Sequence, residues 1–124
     1  MSEERKDKVR AFLRTFKKIA LRRGIDFIPR REFLEARAWL GLTIRNCRDE
    51  ILTLTVDDYC EGPSPDRDRQ GHVWIFGKTM SGTDVYIKLK LALVEGQTMA
   101  KCLSFHPAGY PLCFPFQEKK EGEE

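Results

Sequence analysis

The chain has 124 residues, 41% of them hydrophobic and 33% charged, with a formal net charge of +3. That length predicts one domain with one core, and the composition excludes wholesale disorder. No apolar run approaches the roughly 18–20 residues of a membrane-spanning helix, and the mild positive charge permits a nucleic-acid partner without demanding one.

The opening MSEERKDKVR holds no apolar segment of a secretory signal, so a reducing cytoplasm is the expected setting. Cys47, Cys60, Cys102 and Cys113 are far apart and form no C-x-x-C pair. Free thiols are therefore expected rather than a structural zinc site.

Val9, Phe12, Leu13, Phe16, Ile19 and Ala20 recur at spacings of three and four, which predicts a helix from Ser2 to about Arg23. Ser2 is a candidate cap, Glu3 and Glu4 suit the first turn, and Gly24 is a natural stop. Ile25–Ile28 is expected to be an extended link, and Pro29 fits the first turn of a second helix. Phe33, Ala36, Trp39 and Leu40 mark its apolar side up to Gly41. Thr43 is placed to cap a third helix carrying Ile44, Cys47, Ile51 and Leu52. Thr55 and Asp58 are spaced as a capping box for one further turn.

Glu61–Gly71 holds two prolines and two glycines and reads as a linker. Beyond it the period changes to two. Strands are expected over His72–Lys78, Asp84–Leu91 and Met99–Phe105, with turns at Met80–Thr83 and Glu95–Gln97. Helices followed by an antiparallel meander predict an α+β fold, with N-terminal helices packed on a small antiparallel sheet. The helices are expected to cover the face bearing Val85, Ile87, Leu89 and Leu91. His106–Phe116 mixes aromatics with prolines and is expected to wrap the domain or add an edge. The domain is thus read as residues 1–116, with the charged tail 117–124 disordered.

Tyr86, Lys88 and Lys90 share the opposite face of the middle strand. An antiparallel neighbour brings Ser104 or His106 beside one of them, depending on register. Lys78, Arg67 and Arg69 add cations. A phenol, an imidazole and several cations suit phosphate binding and proton transfer, because histidine is the side chain that titrates near neutrality. That set is what metal-free cleavage of RNA through its 2′-hydroxyl requires. The same pattern also fits an ordinary solvated strand face. Asp57, Asp58, Asp66, Asp68, His72 and His106 are candidate metal ligands by type, but no familiar ligand spacing is present. Nor is there a Walker loop, a G-x-S-x-G elbow or a dinucleotide fingerprint. No cofactor and no metal is expected.

Leu40-Gly41-Leu42, the helix carrying Cys47, Leu54-Thr55-x-x-Asp58-Tyr59, Val73-Trp74, Val85-Tyr86-Ile87-Lys88 and Leu103-Ser104-Phe105 follow one another in an order that resembles the MqsR toxin family. The resemblance spans about residues 9 to 106. It implies a RelE-like fold and an mRNA interferase, the toxin of a type II toxin–antitoxin pair. Such an enzyme cleaves single-stranded mRNA without a metal and arrests growth. The resemblance also implies a cognate antitoxin, zinc-binding with a helix-turn-helix in the best-known pairs. The family's catalytic tyrosine matches Tyr86. A family lysine falls on His106, a second on Cys60, and a glutamine falls on Ile75. The expected site is therefore His106, Tyr86 and Lys88 for chemistry, with Lys78, Arg67, Arg69 and Lys90 for substrate. The alternative is a catalytically inactive RNA- or protein-binding module of the same fold. A third reading makes Tyr110, Phe114 and Phe116 anchors for a partner.

Overall fold

The computed structural model describes residues 2–117, and the expected disordered tail lies, apart from Gln117, outside the described residues. Helix α1 (Ser2–Arg23) leads to a two-residue strand β1 (Asp26–Phe27), then to helices α2 (Arg31–Leu40) and α3 (Ile44–Leu52) and a 3₁₀ turn (Val56–Asp58). Strands β2 (Tyr59–Pro65), β3 (His72–Met80), β4 (Thr83–Val94) and β5 (Gln97–Pro107) follow. They form one sheet in the order β1-β5-β4-β3-β2, antiparallel except for the β1–β5 pair. The α+β expectation holds.

The α1 stripe is the reason the helix packs where it does. Val9, Phe16 and Ala20 are fully buried, and Phe12 and Leu13 nearly so. They meet Phe76, Val85, Ile87, Leu89 and Phe105 from the sheet in one core. Each large apolar side chain so buried contributes about 1.5–3 kcal/mol. Phe33 and Ala36 bury the inner side of α2, whereas Trp39 stays exposed. Gly41 ends α2 in the left-handed region, at φ 68°, a conformation that glycine adopts without strain. Helix α2 starts at Arg31 with Arg30 as its cap residue, so Pro29 precedes the helix rather than opening it.

The caps predicted at Thr43 and Thr55 form, whereas the Ser2 side chain lies outside the described residues. The Thr43 hydroxyl accepts from the Asn46 amide at 3.0 Å, and the Asn46 side chain accepts in return from the Thr43 amide. Around the 3₁₀ turn the Thr55 hydroxyl accepts from the Asp57 amide at 3.3 Å, and the Asp58 carboxylate accepts from the Thr55 amide at 2.9 Å. Thr43→Ala leaves the Asn46 amide unpaired and is expected to cost about 1 kcal/mol, measured as a lower urea midpoint at an unchanged slope.

Two features depart from the expected outline. The segment read as a linker begins as β2, which runs to Pro65. It is the sheet's last strand, so Pro63 and Pro65 need no ladder partner on its outer side. Its pairing with β3 shifts twice, between Tyr59 and Glu61 and between Glu61 and Ser64. The extended link before α2 also joins the sheet, with Asp26 and Phe27 opposite Lys101 and Cys102.

The segment after β5 wraps the domain rather than adding an edge. The Ala108 amide donates to the Asp84 carbonyl and the Leu112 amide to the Asp84 carboxylate. Leu112 and Phe114 then lie over Gly77 so closely that a Cβ there would collide with Leu112 and meet Phe114 at 3.1 Å. Phe116 stacks on Tyr59 with ring centroids 5.3 Å apart, and the Lys6 ammonium lies 5.7 Å from the Phe116 centroid. Phe114 and Phe116 therefore anchor the chain to itself, while Tyr110 remains exposed. Among the described residues no helix is long and apolar enough to cross a membrane.

Candidate functional site

The site lies on the sheet face turned away from the helices, and a bulge in β5 assembles it. Near the β4–β5 turn, Lys90 faces Lys101 and Leu89 faces Cys102. The register then slips by one residue at Leu103, so Lys88 faces Ser104, Ile87 faces Phe105 and Tyr86 faces His106. Without that extra residue Phe105 would oppose Tyr86, and His106 would turn into the core. A one-residue slip moves every later side chain to the other face. The bulge therefore buries Phe105 completely and sends His106 out beside Tyr86.

Tyr86 and His106 stack with ring centroids 5.4 Å apart and planes inclined by 20°. The Lys88 ammonium lies 6.0 Å from the Tyr86 ring centroid, within cation–π range. His106 Nδ1 is 2.8 Å from the Pro107 carbonyl. A carbonyl only accepts, so in the neutral imidazole Nδ1 carries the hydrogen and Nε2 keeps its lone pair. Burial, followed by the neighbouring Tyr110, Glu61 and Cys60, raises the Tyr86 phenol above its ordinary value. Tyr86 is thus a proton donor at neutral pH.

Glu61 is the residue that sequence reasoning missed beside Tyr86, and Cys60, the position that the resemblance sets at a family lysine, lies near it as well. Both come from the irregular start of β2, at the edge of the segment read as a linker. Burial, reinforced by Cys113 and Glu61, pushes the Cys60 thiol up to about 12, so it stays protonated and is no thiolate nucleophile. Ile75 faces Lys88 across β3 and β4 and is nearly buried. The two positions where the chain departs from the family pattern thus border the site, one filled by a neutral thiol and one by an aliphatic side chain.

The other expected residues divide. Arg67 is exposed and, with Glu61, Ser64, Tyr86 and Lys88, lines a cavity of about 550 Å³ on this face. Arg69 lines a second, neighbouring cavity. Lys90 is on the correct face but is not available to a ligand. Its ammonium is held 2.6 Å from both the Asp66 carboxylate and the Gln70 carbonyl. The side chain is only 5% exposed, and it pins the 66–71 loop against the sheet. This pairing draws the Asp66 carboxyl down to about 2.

Lys78 is not part of the site. The two-residue turn at Ser81–Gly82 puts Lys78 opposite Val85, on the helix-facing side of the sheet. There its ammonium donates to Glu50 at 3.2 Å and to the Thr53 hydroxyl. That placement was legible once the turn length was taken literally, since Met80 opposite Thr83 fixes every pair behind it.

Among the described residues no three His, Cys, Asp or Glu side chains converge as a metal-binding group. Asp66 is engaged by Lys90, and Asp58 by the Thr55 amide. No protein-family model, no curated protein and no solved structure matches the chain.

Proposed function

We propose that the protein is an endoribonuclease acting on single-stranded mRNA without a metal, the toxin of a type II toxin–antitoxin pair with a RelE-like fold, working in the cytoplasm. The observation that carries this reading is the stacked Tyr86–His106 pair with Lys88 beside it. His106 Nε2 takes the proton of the 2′-hydroxyl. The 2′-oxygen attacks the adjacent phosphorus, and the bond from phosphorus to the 5′-oxygen breaks. The Tyr86 phenol supplies the proton that the departing 5′-oxygen needs. Proton exchange with solvent then restores both groups, His106 giving up a proton and Tyr86 taking one. Lys88 and Arg67 hold the charge that builds on the phosphate. The products are a 2′,3′-cyclic phosphate and a 5′-hydroxyl. Preorganised cations and an acid–base pair are the means by which such a step is accelerated.

The partners that follow are single-stranded mRNA, free or on the ribosome, and a cognate antitoxin of the zinc-binding, helix-turn-helix kind. The test is a long single-stranded RNA incubated with the purified protein in EDTA, repeated with translating ribosomes. Discrete fragments in either assay support the reading, and intact RNA in both removes it.

A second reading is a binding module without catalysis. Cys60 and Ile75, where the family has a lysine and a glutamine, leave the site with fewer polar groups, and this favours it. It predicts salt-dependent RNA binding with no cleavage products. It also predicts no growth arrest when the protein is expressed in a bacterium without a partner.

A further inference from the structure

The site continues into a groove along the outer sheet face. The cavity beside Tyr86 and Lys88 shares the walls Arg30, Asp66, Asp68 and Leu103 with a larger cavity of about 770 Å³. The larger one extends past the pinned 66–71 loop to Ala92 and Val94 near the β4–β5 turn. Beside Tyr86, on β3, Leu112 and Phe114 cover Gly77, the residue directly opposite it. From Tyr86 and Lys88 the open surface spreads over Ile75, Val73 and Ser64 and continues along β4 into the larger cavity.

The lining is mixed, with apolar and cationic groups beside the exposed carboxylate of Asp68. Leu103, Ala92, Val94 and Ile28 offer apolar surface. Arg30 and Arg69 stand at the rim, both exposed, and among the described residues neither forms an ion pair. The lysines of the same cavity differ, since Lys90 is held by Asp66 and Lys101 by Asp26. Two guanidinium groups outside any ion pair, against the one exposed carboxylate of Asp68, leave the rim net cationic over an apolar floor and suit a strand whose bases rest inward and whose phosphates face the rim.

We infer that this groove is a binding track for single-stranded RNA, in which Arg30 and Arg69 hold phosphates of nucleotides beyond the scissile one. The inference rests on the ribonuclease reading for the identity of its ligand, but its test does not depend on cleavage. The probe is a short labelled single-stranded RNA with 2′-O-methyl groups throughout, which cannot undergo 2′-hydroxyl attack. The full chain and an Arg30→Ala/Arg69→Ala variant are titrated with it over a range of salt. Wild type is expected to bind. The variant should bind about tenfold weaker or worse, with a salt slope reduced by about two, one for each phosphate that is no longer held. Both substitutions are at exposed positions, and an unchanged thermal midpoint checks the fold.

Equal affinity and slope in the two proteins overturn the track. So does a variant that loses binding to polyglutamate, an acidic peptide probe, while keeping its RNA affinity. Intact RNA in the cleavage assay together with the expected drop in binding would remove the ribonuclease step and leave the track standing. Cleavage with no change in binding would do the reverse.

Discussion

His106→Ala is expected to lower the rate of RNA cleavage by about 10²–10⁴, the usual contribution of one positioned acid–base group. The drop follows from geometry. The Leu103 bulge is what brings His106 to the outer face, where it stacks on Tyr86 at 5.4 Å and ties Nδ1 to the Pro107 carbonyl. Alanine removes the Nε2 lone pair, and nothing adjacent replaces it as a base on this account. The fold should survive, because the ring is partly exposed and its own hydrogen bond is local. Tyr86→Phe is the companion test. It keeps the stacked ring and the cation–π interaction with Lys88 but removes the phenolic proton, so cleavage falls while RNA binding is retained. Single-turnover rates and anisotropy titrations on the same samples separate the two effects. A His106→Ala protein that is folded and fully active would take that residue out of the mechanism.

Asp66→Asn is expected to cost about 2–4 kcal/mol of stability. It leaves the Lys90 ammonium almost fully buried with only neutral oxygens, the Gln70 carbonyl among them, to accept from it. The open cavity beside it lets water approach, which keeps the cost toward the lower end of what breaking a buried pair entails. The pH dependence has a definite sign. The Asp66 carboxyl is drawn down to about 2 in the folded protein by the Lys90 hydrogen bond and the loop amides of Asp68 and Arg69. An unfolded aspartate titrates near 3.9. The pair's contribution is therefore complete above about pH 4 and is lost as the pH falls toward about 2. Urea midpoints followed from pH 5 to pH 2 should fall more steeply for wild type than for Asp66→Asn. Parallel curves would show that the carboxylate is not clamped. A second replacement, Lys90→Met, should recover much of the stability, because it removes the orphaned charge.

The parts of the fold written in local patterns were legible. The α1 stripe, the Thr43 and Thr55 caps and both hairpin turns needed only nearby residues to define them. Ser81 and Glu95 have positive φ, at 50° and 49°, and each is followed by a glycine at positive φ, which is the backbone that a two-residue hairpin turn demands. What escaped depended on partners distant in sequence. β1 is two residues long and is a strand only because β5 is there to pair with it. β2 carries prolines that mark a linker anywhere except at a sheet edge.

The candidate site was half legible for the same reason. Tyr86 and Lys88 share a face by simple alternation, and His106 joins them only through the Leu103 bulge, which strict alternation does not contain. Lys78 was misplaced because its cationic side chain was read without its register. Lys90 was placed on the correct face, but the buried carboxylate that occupies it comes from the loop 24 residues earlier. Glu61 went unremarked because it belonged to a segment with no recognisable period.

The most direct test of the central claim uses one cleavable RNA and a matched strand with a single 2′-deoxy nucleotide at the cut site, both incubated with the protein in EDTA. Cleavage of the first with 2′,3′-cyclic phosphate and 5′-hydroxyl ends is expected, and no cut at the modified position in the second. Cutting at the deoxy position, or ends carrying a 5′-phosphate, would contradict this expectation, because neither product can arise from attack by the 2′-hydroxyl.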